Sequence, residues 1–156
     1  MNGSIGEGRM AKVPRLIVPA FGIFYWVLAP FTELAVRVVA GASLVAHGYP
    51  KLFVNPDANA AFFEQAGFTP GMFWAIVVGL TETIGGLCLA VGFLTRLVAV
   101  PILIFLLTAI TYHWQFGFYW NARGIEYPLF FSLVVLHFLM RGGGRLSIDA
   151  KLGREF

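Results

Sequence analysis

Four apolar runs dominate this chain: residues 31–53, 71–93, 96–116 and 122–140. Each approaches the roughly 20 residues that cross a hydrocarbon layer of about 30 Å at about 1.5 Å per helical residue. The runs are rich in Leu, Val, Ile and Phe, and are too long and continuous for strands. The short alternating segments of a membrane β-barrel are missing. With 58% hydrophobic and 12% charged residues, the chain has too much apolar surface for a water-facing globule of its size. The same composition excludes a disordered chain. The expected fold is an all-α membrane protein, an antiparallel four-transmembrane-helix bundle.

Residues 16–31 are a further apolar stretch, interrupted by Pro19 and Pro30 and preceded by Arg9, Lys12 and Arg15. The pattern resembles a signal peptide, but no small-x-small cleavage site follows and the next apolar run begins without a loop. We expect an N-terminal interfacial helix or a kinked extension of the first span. The organisation is then residues 1–30 as a cytoplasmic or interfacial segment, 31–141 as the transmembrane domain and 142–156 as a cytoplasmic tail. Asn55-Pro56-Asp57 predicts a short helix ending near Ala66, closed by Gly67. Thr69-Pro70 opens the second span. The glycines at 142–144 predict a flexible exit from the fourth, since no strand precedes them and no Lys-Ser/Thr follows.

Lys and Arg set the orientation. With both termini on one side, that side carries Arg9, Lys12, Arg15, Arg96, Arg141, Arg145, Lys151 and Arg154, against Lys51 and Arg123 on the other. This asymmetry places both termini in the cytoplasm. It also reads the net charge of +3 as membrane topology, with no nucleic-acid partner. Cys88 is the only cysteine, so neither an internal disulfide nor a CxxC redox pair can form. Any redox chemistry must borrow its electron carrier.

Ionisable groups inside a bilayer are costly and need partners. Glu82 lies near the middle of the second run, so its carboxylate must be paired or protonated. Arg37 in the first run is the expected partner. Such a pair has two readings: a structural tie fixing helix register, or a proton relay or ligand anchor. A second group gathers in the outer half. His47 and Lys51 share a helix face, His113 sits near the outer end of the third run, and Glu126 and Tyr127 near the start of the fourth. A donor imidazole, a proton acceptor and apolar walls suit a quinone. Two imidazoles and a carboxylate also suit a metal, although no closely spaced His pair supports that and no metal is expected. Polar side chains reaching the headgroups would explain the same residues without a ligand. His137 is expected to be a hydrogen-bonded core residue, and no cofactor is expected to be covalently bound.

The ordered set Arg37 and Gly41, His47-Gly48, Lys51-Leu52-Phe53, Ala66-Gly67-Phe68, Glu82-Thr83-Ile84-Gly85-Gly86, Gly92-Phe93-Leu94-Thr95-Arg96, His113, Gly124-Ile125-Glu126-Tyr127-Pro128 and Gly142-Gly143-Gly144-Arg145-Leu146-Ser147-Ile148-Asp149 resembles the DoxX family of small four-helix membrane proteins. The resemblance spans roughly residues 33–151 and implies a bacterial inner-membrane location. It also implies redox chemistry beside the quinone pool. Some members look like subunits of thiosulfate:quinone oxidoreductase, others belong with a complex joining superoxide dismutase and a sulfurtransferase, and others are linked to quinone or catechol stress. The expected function is an integral membrane subunit of a quinone-linked redox system that binds a quinone or small redox substrate in the outer half of the bundle. The alternatives are a non-catalytic organising subunit of a larger membrane complex and a small-solute transporter. Expected partners are the lipid bilayer, other membrane or redox subunits, or a second copy of the chain. The family gives no established catalytic residue to carry over.

Overall fold

The computed structural model describes residues 16–154. Arg9, Lys12 and Arg15, and the first half of the segment expected at residues 1–30, lie outside the described residues. Those described form helices joined by turns, with no strand among them. The helices are α1 (Phe21–Phe53), α2 (Pro56–Gln65), α3 (Gly71–Val91), α4 (Thr95–His113), α5 (Glu126–Arg141) and α6 (Ile148–Leu152). Three stretches are long and apolar enough to cross a membrane: Phe21–Phe53, Gly71–Val91 and Thr95–Phe116, the last including a short 3-10 turn after α4. With 16 residues, α5 is about 24 Å long and the shortest of the long helices.

Of the two expectations for residues 16–31, an interfacial helix or an extension of the first span, residues 21–31 follow the second and are continuous with that span. Helix α1 has 33 residues and carries Pro30 and Pro50 inside it. No helix boundary falls between residues 30 and 31.

Helices α1 and α3 run antiparallel and unusually close. A Cβ added to Gly48 would come within 2.7 Å of Glu82 Cβ and of the Thr83 backbone nitrogen. One added to Gly86 would lie 2.7 Å from the Gly41 carbonyl oxygen. Missing side chains thus let the two backbones meet, as small residues do between helices in lipid. Helix α5 packs on α4, and α4 also touches α3. The half nearer the α3–α4 turn and the tail, termed inner purely by position and opposite to the outer half that holds α2, is filled by Ala40, Leu44, Leu89, Ala99, Ile102, Leu106, Val135 and Phe138. In the outer half α2 lies against α3. Its Phe63 packs with Ala75 and Val78, and Phe62 meets Tyr112 edge-to-face at 5.4 Å.

The glycine run after α5 is anchored, which corrects the expectation of a flexible exit. Arg37, 1% exposed, donates from Nη1 to the Gly143 carbonyl, from Nη2 to the Leu146 carbonyl (2.7 Å), and from Nε to the Ala90 carbonyl (3.3 Å). Buried Asp149 accepts hydrogen bonds from Leu94 N (2.8 Å), Thr95 N (2.9 Å) and Thr95 Oγ1 (2.7 Å). A carboxylate from the tail therefore caps the first turn of α4, where the free N–H groups and the helix dipole favour an anion. Gly92 is required at this junction. Its φ is +69°, and a Cβ there would lie 2.7 Å from Arg37 Cζ.

Candidate functional site

The α1–α3 register decides which charges meet. Gly48, not Arg37, stands opposite Glu82. Arg37 lies eleven residues earlier in α1, about 16 Å away along the axis, beside Ala90. Lys51 is less than one turn beyond Gly48. The expected Arg37–Glu82 pair is therefore corrected: Arg37 binds the tail, and Glu82 pairs with Lys51. Lys51 Nζ lies 2.6 Å from Glu82 Oε2 and also donates to the His47 carbonyl at 2.9 Å. Glu82 is 3% exposed. A carboxylate this far from water needs the half-buried ammonium beside it, because alone it carries a heavy desolvation cost.

The pair is set in the wall of a cavity of about 560 Å³ between the helices in their outer half. Helix α1 contributes His47 and Lys51, and α3 contributes Val78 and Glu82. Phe62 and Phe63 come from α2, Phe105, Tyr112 and His113 from α4, and Tyr127 and Phe131 from α5. Most of this wall is aromatic or aliphatic. The hydroxyls of Thr81 and Thr108 also face this region but are spent on their own helices, donating to the Val77 carbonyl (2.8 Å) and the Ile104 carbonyl (2.9 Å).

Of the five residues expected to form the outer group, His47, Lys51, His113 and Tyr127 line this one cavity. Glu126 does not. Its Oε2 accepts from the Trp120 backbone N–H at 3.0 Å, which fixes the turn before α5, and Glu82 supplies the cavity's carboxylate instead. His113 Nδ1 lies 2.5 Å from the Arg123 carbonyl oxygen, which orients the ring from the loop. Trp120 stacks on Tyr127 with centroids 5.3 Å apart. His137, expected in the core, is exposed on the outer side of α5, with its ring against Phe138. Among the described residues, no three His, Cys, Asp or Glu side chains converge as a metal site would require.

Sequence reasoning placed Lys51 and Glu82 in different groups and missed their contact. The signal was present in the small residues: Gly41, Gly48, Gly79 and Gly86 mark where α1 and α3 touch, and aligning them antiparallel sets position 51 opposite 79, one turn from 82 and within reach of its carboxylate. It also missed Ser147, Thr95 and Asp149 as an anchoring set. Ser147, standing just before a short helix, was the available clue, and its side chain does accept from Ala150 N at 3.0 Å.

An amphiphilic cavity with a single buried ion pair, in a chain of membrane-length helices, can hold an apolar ring or tail while binding one polar head. The chain is 26% identical over 137 residues to an uncharacterized membrane protein of Mycobacterium tuberculosis, covering 81% of this chain and 84% of that one. It is 31% identical over 117 residues to CatD of Bacillus subtilis, whose name proposes an oxidoreductase, covering 74% and 83%. No solved structure matches. The DoxX family description matches residues 32–114, a stretch that holds Arg37, the Lys51–Glu82 pair and both cavity histidines, and this chain belongs to the DoxX family.

Proposed function

We propose that this chain is the membrane subunit of a quinone-linked redox system and that its outer cavity holds a quinone-type molecule. The observation carrying this reading is the Lys51–Glu82 pair, set with His47, His113 and Arg123 in a wall otherwise made of apolar and aromatic side chains such as Phe62, Phe105, Tyr112 and Phe131. Binding sites for ring compounds combine apolar walls with a few placed polar groups in this way. Access from the bilayer supports it further. Val77 on α3 and Ile104 on α4 line the cavity and are 37% and 61% exposed, which supports an opening between these helices toward lipid. Helix α2 and its aromatic contacts cover the outer end. The name of the Bacillus relative favours the redox half of the reading.

In this reading α1, α3, α4 and α5 all cross the membrane as an antiparallel bundle. Both termini face the cytoplasm of a bacterial inner membrane, because the Lys and Arg residues crowd that end. With one cysteine, the chain relies on a partner subunit for its electrons. The quinone is held without a covalent bond.

The test is direct binding of ubiquinone and menaquinone analogues to the purified chain in lipid nanodiscs. Saturable binding, weakened about tenfold by His113→Ala, is the expected result. No binding of either analogue to the wild type, as quinone or as quinol, ends the reading.

A specific observation favours a second role, that of an organising subunit. Residues 21–31 of α1 extend past the inner end of α3, and Phe21, Ile23, Phe24, Trp26 and Phe31 are all exposed there. A helix that is apolar on every side needs lipid or protein around it. Recovery of stable partners in mild detergent, lost on deleting residues 16–30, would support this role. Unchanged recovery would remove it.

A further inference from the structure

The unused hydrogen-bonding capacity at the ion pair says what kind of head group the cavity takes. Glu82 is almost completely buried, and only its Oε2 is bonded, to Lys51. Among the described residues Oε1 has no hydrogen-bond partner, yet it is not sealed in by protein atoms, and Glu82 forms part of the cavity wall. A carboxylate oxygen in that position is an acceptor waiting for a donor. The ammonium beside it has three N–H groups. One is given to Glu82 and one to the His47 carbonyl, which leaves the third. The pair thus offers one acceptor and one donor side by side at the edge of an apolar space.

We infer that the cavity selects a membrane-borne amphiphile by a hydroxyl head, and therefore binds a quinol in preference to the matching quinone. A hydroxyl group satisfies both partners at once: its O–H donates to Glu82 Oε1 while its oxygen accepts from Lys51 Nζ. A carbonyl can only accept. It would use the Lys51 proton and turn its lone pairs toward an acceptor that stays unsatisfied, and sites that recognise a hydroxyl in this way discriminate strongly against analogues lacking it. The neighbouring hydroxyls do not supply the missing donor: Thr81 and Thr108 bond to their own helices, and Thr83 Oγ1, although it has no partner, makes no bond to Glu82. The tail of the amphiphile leaves through the side opening beside Val77 and Ile104. This inference rests on the quinone reading for the identity of the ring, and on the ion pair alone for the hydroxyl.

The experiment uses the full chain in nanodiscs and two ligand pairs. The first pair is decylubiquinol and decylubiquinone, handled without oxygen. The second is 4-nonylphenol and 4-nonylanisole, which carries no redox chemistry. The quinol should bind about tenfold or more tightly than the quinone, and the phenol about tenfold or more tightly than its methyl ether. Both ratios should fall toward one in the Lys51→Met/Glu82→Leu double variant, which removes the pair while keeping side-chain bulk. Equal binding of quinol and quinone, or of phenol and ether, overturns the inference while leaving quinone binding intact. If neither quinone nor quinol binds, the proposed function fails, and the phenol–ether ratio still decides the hydroxyl: equal affinities, or no binding of either, overturn it. The wild-type ratios decide the matter even if the double variant does not fold.

Discussion

Lys51 on α1 and Glu82 on α3 form a 2.6 Å ion pair in the outer half of the structure, where most surrounding side chains are apolar. The contact ties the two closest-packed helices together at the wall of the cavity. It gives one pair a structural task and, in the proposed reading, a ligand-binding one.

The structural task is measurable by asking how the two partners depend on each other. Lys51→Ala leaves the Glu82 carboxylate buried without its cation and should cost about 3–5 kcal/mol. Lys51→Met/Glu82→Leu should cost distinctly less, because no stranded charge remains. Reversible unfolding in mixed micelles provides the comparison. Equal losses would mean that the two side chains do not depend on one another.

Arg37 and Glu82 should behave as strangers. Arg37 spends its guanidinium on the carbonyls of Ala90, Gly143 and Leu146. The losses from Arg37→Gln and Glu82→Gln should therefore add to within about 0.5 kcal/mol in the double variant. A coupling well above that would restore a direct interaction between them.

The tail should protect the start of α4. Asp149 accepts two backbone N–H groups and one hydroxyl. Asp149→Ala strands these donors and should destabilise the protein by about 2 kcal/mol or more. Hydrogen exchange at the Leu94 and Thr95 amides should accelerate together with trypsin cleavage after Arg145. Unchanged exchange at these amides would show that the tail does not hold the turn.

Gly48 should tolerate no side chain. The nearest atoms to an added Cβ include Thr83 Oγ1 at 2.6 Å and the Thr83 backbone nitrogen at 2.7 Å. Backbone atoms cannot step aside as a flexible side chain can, so Gly48→Val should cost about 1–3 kcal/mol or more by forcing α1 from α3. The same displacement would pull Lys51 from Glu82, so any ligand binding should weaken in parallel with stability. A Gly48→Val protein of wild-type stability would refute the close approach.

Glu126 should matter for the loop and little for the ligand. It bonds to Trp120 N and is absent from the cavity wall. Glu126→Gln should change quinone-analogue affinity by less than about twofold, whereas His113→Ala, which removes a wall residue, should weaken it about tenfold. Reversal of that order, read by titration in nanodiscs, would return Glu126 to the site.

The sequence by itself determined the class of protein. Long apolar runs, breaker residues at 55–56, 67 and 92, and the crowding of Lys and Arg at one end are local properties. A helix in lipid must satisfy its own backbone, so composition and length are enough to predict α2, α3 and α4 nearly to the residue. Local signals also found most of the cavity, because His47, Lys51, His113 and Tyr127 lie at similar depth near the ends of their helices. Tertiary structure decided who pairs with whom. Arg37 was expected beside Glu82, but α1 overruns the end of α3, so Arg37 meets Ala90 instead. The actual register comes from glycines that let α1 and α3 touch, and it gives Glu82 to Lys51. The tail shows the same division. Its glycines look flexible in isolation, and only the packed structure supplies Arg37, Leu94 and Thr95 as the hydrogen-bonding groups that hold it. Charge pairing across helices depends on interhelical register, a relationship between distant segments that no single segment encodes.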